Sequence, residues 1–390
     1  MKQLLILILF STFIITSCLA QKGSMKLVAG AENTEKYLND LQGKKVALVV
    51  NQTSKIKDEH LVDFLLANKI NVFQLFSPEH GIRGDADAGE KVGNEKDTKT
   101  GIPIISLYGE NKKPKKEQLS GIEIVVFDMQ DVGARFYTYL STLHYVMEAC
   151  AENKIKLIIL DRPNPNGDYV DGPVLEPAFK SFVGIHSIPI VHGMTLGELA
   201  QMINGEKWLK DSVQCDIKVI SCSNYDHTTL FTPPIKPSPN LPNLNSIRFY
   251  PTLCLFEGTV VSVGRGTDLP FQIIGIPDSI TNSDFTFTPK SISGMAKKPL
   301  YEGKRCVGER LDSNSISRKI DLLYLIKYYN LYPNKEKYFN NFFNRLAGNA
   351  TLQDQIKKGL STDEIRKSWQ NDLNAFKKKR KKYLLYPDFE

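Results

Sequence analysis

Between residues 41 and 160 the sequence repeats one pattern, in which a short, almost wholly apolar run ends in polar residues and is followed by a stretch with helical spacing. The apolar runs are Lys45–Val50, Asn71–Phe76, Ile102–Leu107, Ile122–Phe127 and Lys156–Leu160. Continuous apolar runs separated by amphipathic segments are typical of parallel strands that helices cover on both faces. The pattern therefore predicts an α/β protein whose N-terminal domain is a Rossmann-like parallel sheet.

A proline-rich stretch, residues 232–242 (TPPIKPSPNLP), divides the chain. Because proline lacks a backbone donor and biases its neighbours away from helix, we expect an extended connector. A mature chain of about 370 residues also exceeds what one hydrophobic core usually supports. We therefore predict a Rossmann-like domain over residues 25–235 and a smaller mixed α/β C-terminal domain over residues 236–390.

Two capping boxes mark predicted helix starts, one formed by Thr195 with Glu198 and the other by Ser361 with Glu364. The second helix would carry four apolar residues on one face, namely Ile365, Trp369, Leu373 and Phe376. Residues 259–266 have the composition of a strand and a turn. These elements make the C-terminal part mixed α/β.

The first twenty residues have the form of a signal peptide, with Lys2 ahead of an apolar run that is too short to span a membrane. Two cleavage sites compete. Residues 15–18 resemble a lipoprotein box that would lipidate Cys18, whereas residues 18–20 suit ordinary signal peptidase. We expect an exported, periplasmic protein whose contact with a membrane would be a lipid anchor on Cys18.

Charge and motif content exclude several functional classes. The net charge of +7 includes a basic run at residues 377–382, which we interpret as a solvated helix face, and we expect no nucleic-acid partner for an exported protein. The sequence has no G-x-G-x-x-G, Walker, G-x-S-x-G or H-E-x-x-H motif, and His186 and His192 lack an obvious third ligand. We therefore predict no cofactor and no metal. The cysteines beyond Cys18 show no C-x-x-C spacing and are interpreted as buried apolar residues. One disulfide between two of them is the alternative that an oxidising compartment allows.

Polar clusters follow four of the predicted strands, at residues 51–53, 77–81, 128–131 and 161–164. Ligands of open parallel sheets bind beyond the carboxyl ends of the strands. Each cluster has a simpler explanation as a helix cap or a turn, but four at one edge predict a shared polar site.

The second cluster carries the most chemistry. Glu79 and His80 are titratable groups in a tight loop near Arg83. A carboxyl group whose pKa is raised toward neutrality can protonate a leaving oxygen. The alternative is that Glu79 only pairs with Arg83.

Two further segments could bind an anion or a sugar. Arg135 and Tyr137 follow the fourth strand and offer a cation and an aromatic ring, although such aromatics are more often part of a core. Arg265 lies between two glycines in the C-terminal part, where a hairpin is the simpler interpretation.

These segments closely resemble the exo-acting β-N-acetylmuramidases of glycoside hydrolase family 171, formerly a domain of unknown function. The matching stretches, in chain order over nearly the whole mature chain, are SPEHGIRG (77–84), FDMQDVGARFYTY (127–139), LDRPNPNG (160–167), PSPNLP (237–242), FEGTVVSVGRGT (256–267), LPF (269–271) and YLLY (383–386). The resemblance implies a catalytic N-terminal domain and a cleft that the C-terminal domain completes. It also implies release of N-acetylmuramic acid (MurNAc) from the non-reducing end of peptidoglycan fragments. The expected partners are thus muropeptides and MurNAc-GlcNAc glycans.

The resemblance also places the family's catalytic glutamate at Glu79. Glycosidases commonly use two carboxyl groups, and Asp128, Asp131, Asp161 and Glu257 are candidates for the second, unless the acetamido oxygen of the substrate is the nucleophile. The catalytic candidates are Glu79, His80, Asp128 and Asp131. The substrate-binding candidates are Asn51, Arg83, Gln130, Arg135, Tyr137, Asp161, Arg162, Asn164, Glu257 and Arg265. Among these, the four arginines could hold the lactyl carboxylate of MurNAc.

Two other functions compete with this interpretation. A periplasmic protein that binds muropeptides or sugars without cutting them would suit two lobes around a cleft, but it would not need a carboxyl group for proton transfer. An amidase that cuts the peptide from the lactyl group usually needs zinc, for which the sequence offers no clear histidine cluster.

Overall fold

The structure is a computed structural model that describes residues 26–78, 82, 95–277 and 281–390. Within these residues the strands are β1 (Lys45–Val50), β2 (Lys55–Ile56), β3 (Glu59–His60), β4 (Asn71–Ser77), β5 (Glu95–Lys96), β6 (Pro103–Ser106), β7 (Ile124–Asp128), β8 (Lys156–Leu160), β9 (Asp171–Val174), β10 (Pro189–Val191), β11 (Ile217–Ile220), β12 (Ile273–Ile276), β13 (Thr286–Phe287) and β14 (Cys306–Arg310). The helices are α1 (Leu38–Leu41), α2 (Leu61–Ala67), α3 (Tyr139–Asn153), α4 (Leu196–Gly205), α5 (Leu244–Leu253), α6 (Leu323–Leu331), α7 (Phe343–Ala347), α8 (Thr351–Lys357), α9 (Thr362–Ser368) and α10 (Gln370–Arg380).

The central sheet has the strand order β11-β8-β7-β1-β4-β6-β5. Every neighbouring pair from β11 to β6 is parallel, and β5 is antiparallel to β6. Numbered along the chain, the parallel strands follow the order 3-2-1-4-5-6 of the doubly wound Rossmann arrangement. The Rossmann-like prediction is confirmed, and the point at which the strand order reverses lies between β1 and β7, where Val50 is paired with Asp128.

The central strands are buried on both faces, as their continuous apolar runs predicted. Alternate residues of β1 belong to different clusters: Ala47 and Val49 pack with helices α3 and α4, whereas Val46, Leu48 and Val50 pack with helix α2. This alternation follows from the two-residue repeat of a strand. Covering helices leave the strand ends as the accessible part of the sheet.

Beyond the connector, strands β12, β14 and β13 form an antiparallel sheet. Residues 231–242 contain no helix or strand, in agreement with the predicted connector. One hydrophobic cluster includes side chains from both sides of it, from Ala47 to Phe376. The proposed boundary at residue 235 stays a prediction.

Both capping boxes are present at the starts of α4 and α9. Two local predictions were wrong. The helix predicted to run from Ser361 past Phe376 is divided at Trp369 into α9 and α10, although its four apolar residues are all buried. Of the strand and turn predicted for residues 259–266, the strand is replaced by isolated bridges at Thr259 and Ser262, whereas the turn is present and Gly264 and Gly266 adopt positive φ angles of 77° and 79° there.

The end of the chain returns to the N-terminal sheet. The backbone N–H of Leu385 donates to Glu198 at 2.9 Å, and Arg380, fully buried, binds Asp388 at 2.7 Å and the carbonyl of Gly193. The basic run is therefore only partly the solvated face that was predicted. Among the described residues, no helix is long and apolar enough to cross a membrane.

The cysteines of the described part of the chain are free and buried, namely Cys150, Cys215, Cys222, Cys254 and Cys306. Burial raises the pKa of the Cys222 and Cys306 thiols, which keeps them protonated. The same part of the chain contains no group of three or more His, Cys, Asp or Glu side chains that could hold a metal ion.

Candidate active site

The residues at the reversal of strand order form a buried polar network. Thr53 Oγ1 donates to Asn51 Oδ1 at 2.6 Å and accepts from the backbone N–H of Gln130 at 3.0 Å. The network thereby joins the end of β1 to the residues after β7. Asn51 is fully buried, and its side-chain Nδ2 has no protein partner. An unpaired buried donor at a sheet switch point is suited to a polar ligand or a bound water.

Asp128, the last residue of β7, is held by Arg162. The guanidinium Nε and Nη2 atoms lie 2.5 and 2.9 Å from the two carboxylate oxygens of Asp128, and Arg162 also donates to the carbonyl of Lys55. Burial opposes the positive charge, but Asp128 outweighs it, so the pKa of Arg162 is raised. Because Asp128 neutralises the charge of Arg162, this guanidinium offers little net attraction to a substrate carboxylate.

Asp131 differs from its neighbours because one carboxylate oxygen has no partner. Its Oδ2 accepts the backbone N–H of Gly133 at 2.7 Å, while Oδ1 is buried without a hydrogen bond. Burial raises the pKa of Asp131 to about 7, against the lowering effect of the N–H groups of Gly133 and Val132. A carboxyl group that titrates near neutrality can exchange a proton.

Asp161, at the end of β8, is saturated by donors from the protein. It accepts hydrogen bonds from Thr195 Oγ1 at 2.7 Å, the backbone N–H of Gly197 at 2.9 Å and Tyr386 Oη at 2.6 Å. Burial raises the pKa of Asp161 to about 6, although these hydrogen bonds lower it. Asp161 fixes the start of α4 and the C-terminal tail, and it is not positioned to bind a sugar.

Arg135 lies in the interior and binds main-chain carbonyls. Its Nη1 donates to Pro173 and Ile188, and its Nη2 donates to Leu346 and Ala347, all at 2.8 Å. Burial lowers the pKa of Arg135 to about 9. The prediction that Arg135 binds a substrate anion therefore has to be corrected: this side chain joins the two parts of the chain.

Three other predicted binding residues are also engaged inside the protein. Gln130 Nε2 donates to the carbonyls of Asp131 and Pro163, and Asn164 Nδ2 donates to that of Met194 at 2.8 Å. The Tyr137 hydroxyl donates to the carbonyl of Pro237 at 2.8 Å. The Asn164 side chain also explains why residue 133 of the segment FDMQDVGARFYTY (127–139) is a glycine, because a Cβ at that position would lie 2.1 Å from Asn164 Oδ1.

Glu257 and Arg265 form a half-buried ion pair, with Glu257 Oε1 2.5 Å from Arg265 Nε. Burial opposes the charge on Arg265, but Glu257 outweighs it and raises the pKa of the guanidinium. The guanidinium also lies over the ring of Phe271, 5.0 Å from its centroid. Both members of this pair remain partly exposed, in contrast to Asp128 and Asp161.

Three cavities adjoin this pair and the connector. Glu257 and Arg265 line the first, of about 640 Å³. Arg265 also lines the second, of about 60 Å³, under the connector. Met295 is shared by the first and a third cavity of about 1130 Å³, which reaches Gln52 and Lys55 beyond the end of β1. The cavities therefore run from the sheet switch point to the C-terminal part of the chain.

Glu79, His80 and Arg83 lie outside the described residues, so their predicted roles stay predictions from the motif. The sequence reasoning missed the connector as part of the site: Ser238, Asn240 and Leu241 line the second cavity. The motif PSPNLP at residues 237–242 was the signal that could have identified them.

The comparisons with known proteins agree with this arrangement. The family model described as "Exo-beta-N-acetylmuramidase NamZ, N-terminal" matches residues 46–245, and the corresponding C-terminal model matches residues 248–386. The peptidoglycan β-N-acetylmuramidase NamZ of Bacillus subtilis strain 168 is 40% identical over 377 residues, covering 90% of this chain and 89% of that protein.

Two solved structures of DUF1343 family proteins from Bacteroides fragilis share the fold. One is 47% identical, with a TM-score of 0.86, and the match covers 93% of this chain and all of the other. The second is 28% identical, with a TM-score of 0.78, over 92% and 99% of the two chains. The fold and the carboxyl-lined cavities define a two-part α/β protein with a cleft suited to a polar ligand. The chain belongs to the NamZ exo-β-N-acetylmuramidase family.

Proposed function

We propose that this protein is an exo-acting β-N-acetylmuramidase, a glycoside hydrolase that releases MurNAc from the non-reducing end of peptidoglycan fragments in cell-wall turnover. The observation that carries the proposal is the match of both NamZ family models, in order, over most of the chain. The name of the 40% identical relative supports the same substrate class.

The proposed chemistry uses two carboxyl groups. Glu79, assigned by its motif, protonates the leaving oxygen. The second group acts at the anomeric carbon, as the base that activates water or as the nucleophile of a glycosyl-enzyme that water then hydrolyses. For this group we choose Glu257, because it is partly exposed and lines a cavity, whereas Asp128 and Asp161 are buried and bonded. Asp131 is the next candidate, because its pKa of about 7 and its unpaired oxygen suit proton transfer, although it is buried.

We propose that Arg265 binds the lactyl carboxylate. Of the predicted cations in the described part of the chain, Arg135 is bound to carbonyls and Arg162 to Asp128, whereas Arg265 lines two cavities. Arg265 donates its Nε–H to Glu257, and a guanidinium has further N–H groups on its two terminal nitrogens. It can therefore bind a substrate carboxylate while it remains paired with Glu257.

The test is hydrolysis of a chromogenic β-N-acetylmuramide by purified residues 25–390, beside the corresponding N-acetylglucosaminide. We expect release from the muramide alone, and loss of release in Glu79→Gln with its fold intact by circular dichroism. Glu117→Gln is the matched control, because Glu117 is exposed on a short 3₁₀ helix away from the cavities.

The competing function, a non-catalytic protein that binds muropeptides or sugars, predicts a different result. Such a protein would release nothing from either substrate, would still bind muropeptides in calorimetry, and would bind them equally well as Glu79→Gln. That outcome would overturn the glycosidase proposal.

We also propose that the protein is exported to the periplasm and that Cys18 carries a lipid anchor. The support is the apolar run of residues 4–15 and the small residues before Cys18, all outside the described part of the chain. Expression in a bacterial host should give a detergent-phase protein, and Cys18→Ala should move it to the aqueous phase. Equal partitioning of both proteins would favour plain cleavage after Ala20.

A further inference from the structure

The small cavity under the connector differs from the two larger ones because it is mostly enclosed by aromatic side chains. Tyr137, Tyr250 and Phe271 line it, with Tyr250 packed edge-to-face against both other rings at centroid distances of 6.0 and 5.0 Å. The Tyr137 hydroxyl is already used on the carbonyl of Pro237. The rings of these three side chains therefore offer apolar contact to an occupant, beside the polar side chains of Ser238 and Asn240.

Asn240 supplies an unpaired polar atom in this cavity. The residue is 1% exposed, and its Nδ2 donates to the carbonyl of Met295 at 2.7 Å. Because a carbonyl accepts only from the amide nitrogen, this bond fixes the orientation of the side chain and leaves Oδ1 as a buried acceptor without a partner. An unsatisfied buried acceptor is costly and requires an occupant that donates a hydrogen bond.

The connector holds Asn240 in this position. The backbone N–H of Leu241 donates to the carbonyl of Ser238 at 2.9 Å, and Gln52 Nε2 donates to the carbonyls of Lys236 and Pro237 at 3.1 Å. The acceptor is therefore tied to the same residues that follow β1. A binding group held by a fixed turn needs little ordering when a ligand arrives.

The size of the cavity limits the occupant. Each water-sized group needs about 10–15 Å³, so a volume of about 60 Å³ holds a few such groups and not a sugar ring. A 2-acetamido substituent has four non-hydrogen atoms, of which the methyl is apolar, the nitrogen donates and the oxygen accepts. Arg265 lines the same cavity and has N–H donors beyond the one that it gives to Glu257.

We propose that this cavity binds the 2-acetamido group of the sugar, with its N–H donated to Asn240 Oδ1 and its methyl among Tyr137, Tyr250 and Phe271. The inference rests on the proposed function for the identity of the sugar, and it assigns a specificity-determining residue to the connector. It directs the sugar ring toward Arg265, which also lines the larger cavity together with Glu257. Sugars that lack the acetyl group would leave both the acceptor and the aromatic walls unfilled.

The first test observes the unmodified protein and does not depend on turnover. In saturation-transfer difference NMR of residues 25–390 with free MurNAc, the acetyl methyl should receive the strongest saturation, because aromatic protons surround it. A methyl among the weakest signals, while the ring protons are saturated, would overturn the assignment.

The second test changes the acceptor. By calorimetry, Asn240→Ala should raise the dissociation constant of MurNAc roughly five- to tenfold, which is the effect of one buried hydrogen bond. It should also reduce the preference for MurNAc over muramic acid, which lacks the acetyl group. Asn68→Ala, an exposed amide at the end of α2, is the matched control and should bind as the wild type does.

The two proposals fail in different ways. Hydrolysis of the muramide together with unchanged binding by Asn240→Ala would overturn the acetamido site, with water alone as the occupant of the cavity, and would leave the muramidase standing. Binding that depends on Asn240 without any hydrolysis would overturn the muramidase and leave the acetamido site standing.

Discussion

Tyr386 Oη donates a 2.6 Å hydrogen bond to Asp161 Oδ2, across a sequence separation of 225 residues. The same hydroxyl accepts the backbone N–H of Cys222 at 2.9 Å. The end of β8, where the sequence predicted a sugar, is thus occupied by the YLLY segment of the C-terminal tail. Asp161 and Tyr386 are structural partners that hold the tail against the sheet.

Removal of this hydroxyl should therefore reduce stability and not substrate affinity. We expect Tyr386→Phe to lower the free energy of unfolding by about 1–3 kcal/mol, because a buried carboxyl group loses one of its donors. Urea denaturation measures the loss. Tyr383→Phe is the control: its hydroxyl binds Glu206 at a partly exposed position and should cost less. Equal losses in the two variants would contradict this account.

The free energy of unfolding of the wild type should fall as pH rises because of Asp131, and Asp131→Asn should lack this pH dependence. Burial raises its folded pKa from 3.8 to about 7. Between these values the folded protein holds a proton that the unfolded chain has lost, so the contribution of Asp131 to stability falls as pH rises and is constant above about 7. The free energy of unfolding of Asp131→Asn, relative to that of the wild type, should therefore rise by about 3–4 kcal/mol as the pH is raised from 4 to 8.

Urea denaturation at several pH values measures that difference. Asp226 is the control, because hydrogen bonds from Thr228 and Thr229 lower the pKa of its carboxyl. Its stabilising effect is present above the unfolded pKa and is lost as pH falls, so Asp226→Asn should be less stable than the wild type above that pKa and should converge with it at the acid end, the opposite sign to Asp131→Asn. Parallel curves for Asp131→Asn and the wild type would refute the buried titration.

Arg135→Lys should be strongly destabilising. The guanidinium reaches four carbonyls at once, and an ammonium cannot reach all of them. We expect a loss of about 3–5 kcal/mol, since several buried acceptors lose their donor. Chemical denaturation measures it, with Arg318→Lys as a control because Arg318 is largely exposed. A stable variant with weakened MurNAc binding would restore the anion-binding role.

Arg265→Ala should reduce the preference for MurNAc over N-acetylglucosamine, because the two sugars differ only in the lactyl group. Loss of a charge-assisted hydrogen bond costs about 1.5–3 kcal/mol. The dissociation constant of N-acetylglucosamine divided by that of MurNAc should therefore fall by roughly tenfold or more. Calorimetry with both sugars measures the ratio, and Arg305→Ala, at an exposed position, should leave it unchanged. An unaltered ratio in Arg265→Ala would exclude this arginine.

Much of the fold follows from the sequence because strands buried on both faces carry a strong pattern. The predicted strands Lys45–Val50 and Lys156–Leu160 have the observed bounds, and both capping boxes lie where they were predicted. These features depend on local residue order alone. The break at Trp369 was missed because its helical spacing continues unchanged through the break.

The site was less predictable, because a polar residue after a strand has the same appearance whether it meets a ligand or another part of the chain. Asp161 meets Tyr386, and Arg135 meets the carbonyls of Leu346 and Ala347, more than 200 residues away in each case. No local pattern reveals such partners. Asn240 was overlooked for the complementary reason: its proline-rich surroundings indicated only a connector.

The contact between Arg135 and helix α7 should determine whether this helix unfolds locally or only together with the central sheet. Helix α7 spans only Phe343–Ala347, far fewer residues than an isolated helix needs in water, and Arg135 binds the carbonyls of its last two residues. Its amide protons should therefore exchange with solvent as slowly as those of the central sheet. By this measure the short helix belongs to the same cooperative unit as β1 and β7.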